Sequence, residues 1–152
     1  TLIKGMRFLP GYELNLLSKI SADRRRDLEL LVPAECKVNF ISGVSDAEYE
    51  KFLDEATALV SASRDEGFGI PVIESMSHGT PAIVSDIEIF REIGGDAALY
   101  FDQESPEAFA KKVKSLEDSK FWLEASQRSK IQAAKFNWSN SADELIELIA
   151  SI

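Results

Sequence analysis

The chain has 152 residues, which is the usual size of one domain and is enough to bury one sizeable core. Its 45% hydrophobic and 28% charged residues are typical of a globular protein, and its net charge of −9 argues against a nucleic-acid backbone as the main partner, because such sites need clustered Lys and Arg. A single Cys and a single His exclude an internal disulfide and a zinc site built from these two residue types.

The first third of the chain is predicted to contain a strand, a long helix and a second strand. Residues 1–6 are interpreted as a short strand that ends near Gly5. A helix is expected over residues 12–32, because apolar side chains recur there at a rough helical spacing until Pro33 stops the helix. Residues 36–42 alternate apolar and polar side chains, as a strand with one buried face does.

From Ser45 onward, short helices and short apolar strands alternate. Ser45 is a good N-cap, and the acidic residues after it suit the positive end of a helix dipole, so we expect a helix to about Glu55. Pro71 suits the first turn of another helix, which Gly79 closes. Further strands are predicted at residues 58–62, 81–85 and 97–101, and further helices at residues 87–93, 106–116, 121–134 and 139–149.

This alternation of strands and helices predicts the fold class. We expect a single α/β domain over residues 1–152, with an open parallel sheet and helices on both faces, as in Rossmann-like folds. In such sheets, ligands bind beyond the carboxyl ends of the strands. The loop that leaves the predicted strand at residues 58–62 is therefore the candidate binding segment.

A loop with two glycines, Gly67 and Gly69, has the features of an anion site. The glycines let the backbone approach a ligand closely, and the helix that begins near Ile70 has first-turn N–H groups with no partner inside the helix. Such a helix start favours phosphate. The carboxylates of Glu66 and Glu74 flank it and could accept hydrogen bonds from sugar hydroxyls. The combination indicates a nucleotide-sugar site, and the plainer alternative is a glycine-containing loop beside two solvated glutamates.

The run from Ser63 to Glu74 resembles the signature of a large family of retaining glycosyltransferases, often called group 1 or family 4, which have the GT-B fold. The family's pair of glutamates with seven residues between them is present as Glu66 and Glu74, and Gly-Phe-Gly-Ile-Pro follows the first. The similarity runs from about residue 38 to residue 116, and its clearest parts outside this run are residues 38–48, 75–86, 95–102 and 105–108.

The resemblance implies a role for each part of the site. Glu66 would be the catalytic glutamate and would contact the hydroxyls of the transferred sugar, either as a chemical catalyst or as a positioning group. Glu74 would bind the ribose hydroxyls of a nucleoside-diphosphate-sugar donor. The distal phosphate and the sugar would be held by four consecutive backbone N–H groups, those of Gly67, Phe68, Gly69 and Ile70. The base would be contacted by the backbone of the loop Gly43, Val44 and Ser45.

The same resemblance implies the chemistry and the partners. The family uses no metal and no other cofactor, because backbone donors and basic side chains stabilise the leaving diphosphate. The sugar would go to a hydroxyl of a glycan or lipid with retention of configuration, and no nucleic acid takes part. Since the sequence carries no targeting signal, we expect a cytoplasmic protein. Contact of the full-length protein with the cytoplasmic face of a membrane is compatible with this expectation.

One expected part of the site is not found in the sequence. The family supplies an Arg and a Lys from the loop after the first strand of this domain, and they clamp the diphosphate. Because residues 1–5 are interpreted as the second strand, we expect the first strand, its basic loop and the acceptor domain to lie upstream of Thr1. The isolated chain would then be inactive and bind nucleotide weakly. The single histidine, His78, stands near a helix end and is expected to be structural.

Two alternatives share the predicted fold. Another GT-B enzyme, such as a sugar phosphorylase or a nucleotide-sugar epimerase, would use a related site for a different reaction. A non-catalytic, doubly wound binding domain would share the architecture alone. Nucleotide binding that depends on Glu74 would distinguish an enzyme of this group from such a domain.

Overall fold

The computed structural model describes residues 1–151, with their side chains except at residues 138–141, 143 and 144. The strands in this range are β1 (Glu13–Leu17), β2 (Lys37–Ile41), β3 (Leu59–Ser61), β4 (Ala82–Ser85) and β5 (Leu99–Phe101). The helices are α1 (Leu2–Gly5), α2 (Ala22–Glu29), α3 (Asp46–Glu55), α4 (Ile70–His78), α5 (Glu88–Gly94), α6 (Pro106–Ser115), α7 (Ser119–Ala133) and α8 (Trp138–Ala150), and a 3-10 turn (Met6–Phe8) follows α1.

All strand pairs are parallel, and they form two ladders. β1 pairs with β2, with Glu13 opposite Lys37. β4 lies between β3 and β5, with Val84 opposite both Ser61 and Tyr100. The predicted α/β class with parallel strands is therefore confirmed, although the strands are divided between two sheets instead of forming one.

A groove separates the two sheets. Within the described residues no ladder joins β1 to β3. The space between them, about 840 Å³, is lined by residues of both strands, including Leu14, Leu16 and Val60. Tyr49 of α3 and Pro71 of α4 also line this groove, so it extends to the segment that carries the candidate site.

The core covers both faces of the three-stranded sheet. Ile83 belongs to a buried cluster with Phe109, on the face that α1 and α6 cover. The next residue, Val84, belongs to a second buried cluster with Met76 and Phe90, on the face that α4 and α5 cover. Because helices pack on both faces, β4 is buried along its whole length, as is usual for a parallel strand. The prediction of helices on both faces is confirmed.

The strand predicted at residues 1–6 is wrong, because α1 and the 3-10 turn occupy that segment. A Cβ on Gly5 would lie 2.5 Å from Phe109 Cδ1, so α1 approaches α6 closely at this glycine. The segment turns one apolar side to the core through side chains at every third position, those of Ile3, Met6 and Leu9. Residues 1–5 are therefore not the second strand of a sheet.

The single helix predicted over residues 12–32 is also wrong. The chain first forms β1, and α2 begins only after Ser21, whose hydroxyl accepts a hydrogen bond from a first-turn N–H group. The three-residue spacing of Leu14 and Leu17 suggested a helix. However, Asn15 is exposed while Leu14 is buried, which is the alternation of a strand.

The remaining elements lie close to their predicted positions. β2 to β5 fall within the predicted strands, and α3 to α8 match the predicted helices to within a few residues. α4 ends as expected at Gly79, which has the left-handed φ of +81° that favours glycine. None of the helices within residues 1–151 combines the length and the apolar character that crossing a bilayer requires.

Candidate functional site

The segment that the sequence singled out leaves the carboxyl end of β3 and enters α4. The loops after β3, β4 and β5 meet at one edge, because these strands are parallel. Two contacts join them: Ser85 Oγ donates a hydrogen bond to the carbonyl oxygen of Ser63, and Arg64 pairs with Glu104 at 2.8 Å. The segment therefore lies at the edge where open α/β sheets bind ligands.

Gly69 fixes the conformation of the loop at the start of α4. It is the N-cap residue and has a φ of +92°, in the left-handed region. A Cβ at this position would lie 2.8 Å from Ile93 Cδ1 and 3.0 Å from Phe90 Cε1. Gly67 differs, since a Cβ there would meet no atom within 4 Å. Residue 69 must therefore be glycine for two reasons, whereas Gly67 keeps the approach to the loop open.

The start of α4 presents unused hydrogen-bond donors. Val72 N donates back to the carbonyl oxygen of Gly69 at 2.9 Å, and Pro71 has no N–H group. Four preceding N–H groups donate no hydrogen bond within the described part of the chain, those of Gly67, Phe68, Gly69 and Ile70. Free N–H groups at the positive end of a helix dipole favour an anion.

Phe68 holds this loop against the C-terminal part of the chain. Its ring packs edge-on against Phe136, with 6.2 Å between the ring centroids and an interplanar angle of 82°. The ring is nevertheless 45% exposed. The contact gives the loop a second anchor besides the packing of Gly69.

Glu66 is exposed in the loop, and one of its two carboxylate oxygens is engaged. Ser63 Oγ donates to Glu66 Oε1 at 2.7 Å, and Ser61 Oγ donates to Ser63 Oγ at 3.2 Å. Glu66 Oε2 has no partner within the described residues. The carboxylate is thus tied to the end of β3 and keeps one oxygen for a ligand. Ser63 was not among the predicted site residues, although it lies only three positions before Glu66.

Glu74 is half-buried on α4 and is held by a tyrosine. The hydroxyl of Tyr49 on α3 donates a hydrogen bond to Glu74 Oε2 at 2.9 Å. Burial, then the hydrogen bond and the charge of Glu74, raise the pKa of Tyr49 to about 12. Tyr49 was not among the predicted site residues, because no local pattern links two residues that are 25 positions apart.

The loop predicted to contact a base, Gly43 to Ser45, leads directly into α3. Gly43 has a φ of +73°, and Ser45 forms a capping box with Glu48. Ser45 N donates to Glu48 Oε2 at 2.8 Å, and these hydrogen bonds lower the pKa of Glu48. The Ser45 N–H is therefore in use. Within the described range, Gly43 and Val44 keep theirs free.

His78 lies at the other end of α4 from the loop. Its Nδ1 is 2.7 Å from Asp54 Oδ1, which joins the last turn of α4 to α3. The rise of an α-helix puts His78 roughly 12 Å from Ile70 along the axis. The contact joins two helices and is remote from the free N–H groups.

A metal ion would find no ready ligand set in the described part. Among those residues, no three His, Cys, Asp or Glu side chains come together in a way that could hold a metal ion. The prediction that the chemistry needs no metal and no other cofactor stays a prediction.

Residues 22–137 match the protein family described as "Glycosyl transferases group 1". The O-antigen chain mannosyltransferase RfbU of Salmonella typhimurium is 43% identical over 91 residues, which cover 60% of this chain and 25% of RfbU. The GDP-mannose:cellobiosyl-diphosphopolyprenol alpha-mannosyltransferase of Komagataeibacter xylinus is 27% identical over 140 residues, covering 89% of this chain and 35% of that enzyme.

Solved structures agree on the fold. The crystal structure of Anabaena HepE in complex with UDP-glucose has a TM-score of 0.79 to this chain at 12% identity, covering 99% of this chain and 44% of HepE. The chain thus spans less than half the length of each of these proteins. The predicted GT-B type of fold is confirmed by such neighbours. Because the family match covers most of its residues, this chain belongs to the group 1 glycosyltransferases.

Proposed function

We propose that this chain forms the donor-binding face of a glycosyltransferase that moves a mannosyl residue from GDP-mannose to a hydroxyl of a glycan or lipid, with retention of configuration. The observation that carries the proposal is the start of α4, where free N–H groups lie between two carboxylates. Each carboxylate, of Glu66 and of Glu74, is held at one oxygen by a neighbouring hydroxyl.

The choice of donor rests on the relatives. RfbU is named a mannosyltransferase, and the Komagataeibacter xylinus relative is named for GDP-mannose. HepE, which shares the fold at lower identity, was crystallised with UDP-glucose. GDP-mannose is therefore the donor that we propose, and UDP-glucose is the competitor that a test must include.

The diphosphate of the donor would lie at the free N–H groups of residues 67–70. These groups are fixed by the packing of Gly69 and Phe68, so they need not reorganise when the charge on the leaving diphosphate grows. In the transfer, the bond from the anomeric carbon to the phosphate oxygen breaks, and its electron pair stays on the diphosphate. The acceptor hydroxyl forms the new bond to that carbon and gives up its proton to an oxygen of the leaving diphosphate.

The two carboxylates would contact different parts of the donor. Glu66 lies in the loop, before the free N–H groups, and would hold the hydroxyls of the mannosyl ring through its unpaired Oε2. Glu74 lies about one turn inside α4 and would accept hydrogen bonds from the ribose. The loop of Gly43 and Val44 would meet the base through its free backbone N–H groups.

Binding measurements with two donors test the proposal. We expect wild-type protein to bind GDP-mannose more tightly than UDP-glucose in a calorimetric or NMR titration. Glu74→Ala should weaken GDP-mannose binding about tenfold or more, because a hydrogen bond to a charged group contributes about 1.5–3 kcal/mol.

The matched control is Glu124→Ala, which removes an exposed carboxylate from α7. It should leave the affinity for GDP-mannose unchanged. The proposal fails if neither nucleotide sugar binds at millimolar concentration, or if Glu74→Ala binds GDP-mannose as wild type does. A clear preference for UDP-glucose would overturn the choice of donor and leave the class of reaction standing.

A further inference from the structure

The contact between α3 and α4 carries a hydrogen bond from a tyrosine to a carboxylate. Tyr49 Oη lies 2.9 Å from Glu74 Oε2, and both side chains are half-buried. Within the described residues the second oxygen, Glu74 Oε1, has no partner. The carboxylate is thus anchored at one oxygen and open at the other.

The direction of this hydrogen bond is fixed. Burial, and then the hydrogen bond and charge of Glu74, raise the pKa of Tyr49 to about 12. The phenol therefore keeps its proton at neutral pH and donates to the carboxylate.

We propose that Tyr49 is a positioning residue for recognition of the ribose. It orients Glu74 so that the carboxylate accepts hydrogen bonds from the ribose hydroxyls, and it thereby makes the site select ribonucleotides over deoxyribonucleotides. The inference rests on the donor site proposed above, in which Glu74 contacts the ribose. Tyr49 itself touches no part of the donor.

The position of Tyr49 on α3 connects the proposed ribose contact with the proposed base contact. Tyr49 N donates to the carbonyl oxygen of Ser45 at 2.9 Å, and Ser45 with Glu48 caps the same helix. The loop that begins at Gly43 and the hydroxyl that orients Glu74 therefore belong to one rigid turn. A nucleoside that contacts the loop and the carboxylate would be held by groups whose spacing this turn sets.

A packing role for Tyr49 must be separated from the role of its hydroxyl, since the half-buried side chain also lines the groove between the two sheets. Tyr49→Phe keeps the ring and removes only the hydroxyl, so it tests the hydrogen bond alone. The chain supplies a matched control in Tyr12, whose hydroxyl donates to Glu117 Oε1 at 3.2 Å. Tyr12 and Glu117 lie outside the proposed donor site, so Tyr12→Phe removes the same kind of hydrogen bond elsewhere.

The experiment measures dissociation constants for GDP, 2′-deoxy-GDP and 3′-deoxy-GDP on wild type, Tyr49→Phe, Tyr12→Phe, Glu74→Ala and the Tyr49→Phe/Glu74→Ala double variant. We expect Tyr49→Phe to weaken GDP binding about three- to tenfold. The loss should be smaller for each deoxy analogue than for GDP, because each analogue lacks one hydroxyl that Glu74 would contact. Adding Tyr49→Phe to Glu74→Ala should cause no further loss, and Tyr12→Phe should bind all three as wild type does.

Three results would overturn the inference. An equal loss for GDP and for both deoxy analogues would make Tyr49 a packing residue. Unchanged GDP binding in Tyr49→Phe, together with lost ribose selection in Glu74→Ala, would remove Tyr49 from the site and leave the proposed function intact. If wild type binds UDP-glucose in place of GDP, the same series is measured with UDP and its deoxy analogues. If wild type binds neither GDP nor UDP-glucose, or if Glu74→Ala binds all three nucleotides as wild type does, the donor site falls and this inference falls with it.

Discussion

A Cβ built on Gly69 would lie 2.8 Å from Ile93 Cδ1, so the loop before α4 packs against α5 only because residue 69 has no side chain. The φ of +92° at Gly69 adds a second restriction, since other residues rarely adopt it. This packing sets the direction of the free N–H groups beside it. The conformation of the proposed phosphate site therefore depends on packing in the core of the domain.

Gly69→Ala should destabilise the protein. The substitution combines a left-handed backbone with overpacking against α5, and we expect the free energy of unfolding to fall by about 2–4 kcal/mol. Chemical denaturation measures this. Gly67→Ala is the control, because a Cβ there meets no atom within 4 Å. It should change stability by about 0.5 kcal/mol or less, and an equal loss in both variants would contradict the role of the Gly69 packing.

Substitutions of Glu66 and Glu74 should affect the binding of the sugar and the binding of the nucleotide differently. If Glu66 contacts the mannosyl ring, Glu66→Ala should weaken GDP-mannose binding about tenfold and leave GDP binding nearly unchanged. If Glu74 contacts the ribose, Glu74→Ala should weaken both ligands by a similar factor. Parallel titrations with GDP and GDP-mannose measure the two ratios. Weaker GDP binding in Glu66→Ala would show that the roles are assigned to the wrong carboxylates.

Ser45→Ala should destabilise α3. It removes the side chain that accepts a hydrogen bond from Glu48 N, and loss of such a cap costs about 1 kcal/mol. Ser45→Asn is the control, since asparagine caps helices about as well as serine. Thermal or chemical unfolding measures both variants. Equal stability of Ser45→Ala and wild type would mean that the capping box contributes nothing to the fold.

The tyrosines should ionise late in the folded protein. Burial is the main cause that raises the pKa of Tyr49 and of Tyr100 to about 12, from the ordinary 10.0. Between these values the unfolded chain loses protons that the folded chain keeps. The stability that these groups contribute is thus complete below pH 10.0 and is lost as the pH rises towards 12.

A pH titration of tyrosinate absorbance in the folded protein tests whether these pKa values are raised. The late component should become smaller in Tyr49→Phe. Tyrosine ionisation with a midpoint at the ordinary value in native protein would contradict the burial and the hydrogen bond of Tyr49.

Much of the fold after residue 36 could be predicted from local signals. The short apolar run of β4 is buried on both faces, and residues such as Pro71 and Gly79 mark the ends of elements. The prediction of one helix over residues 12–32 was wrong because Leu14 and Leu17 fit a helical spacing by chance. β1 is a strand because it pairs with β2, which lies more than 20 residues further along the chain. No local sequence pattern indicates this pairing.

The candidate site shows the same division between local and distant information. The glycines and glutamates of the loop follow one another along the chain, so the sequence could place them together. The Tyr49 hydroxyl reaches Glu74 only because α3 packs against α4, and no periodicity predicts which side chains meet across that contact. The hydrogen bond from Ser63 to Glu66 is local, since it joins two side chains three positions apart in the same loop.

The most direct test of the donor site is a residue-specific NMR titration of the protein with GDP-mannose. We predict saturable shifts of the backbone amides of Gly67, Phe68, Gly69 and Ile70, because their N–H groups would bind the diphosphate. These shifts should shrink in Glu74→Ala at the same ligand concentration. Shifts confined to another region, such as the groove between β1 and β3, with the four amides unchanged would contradict the account.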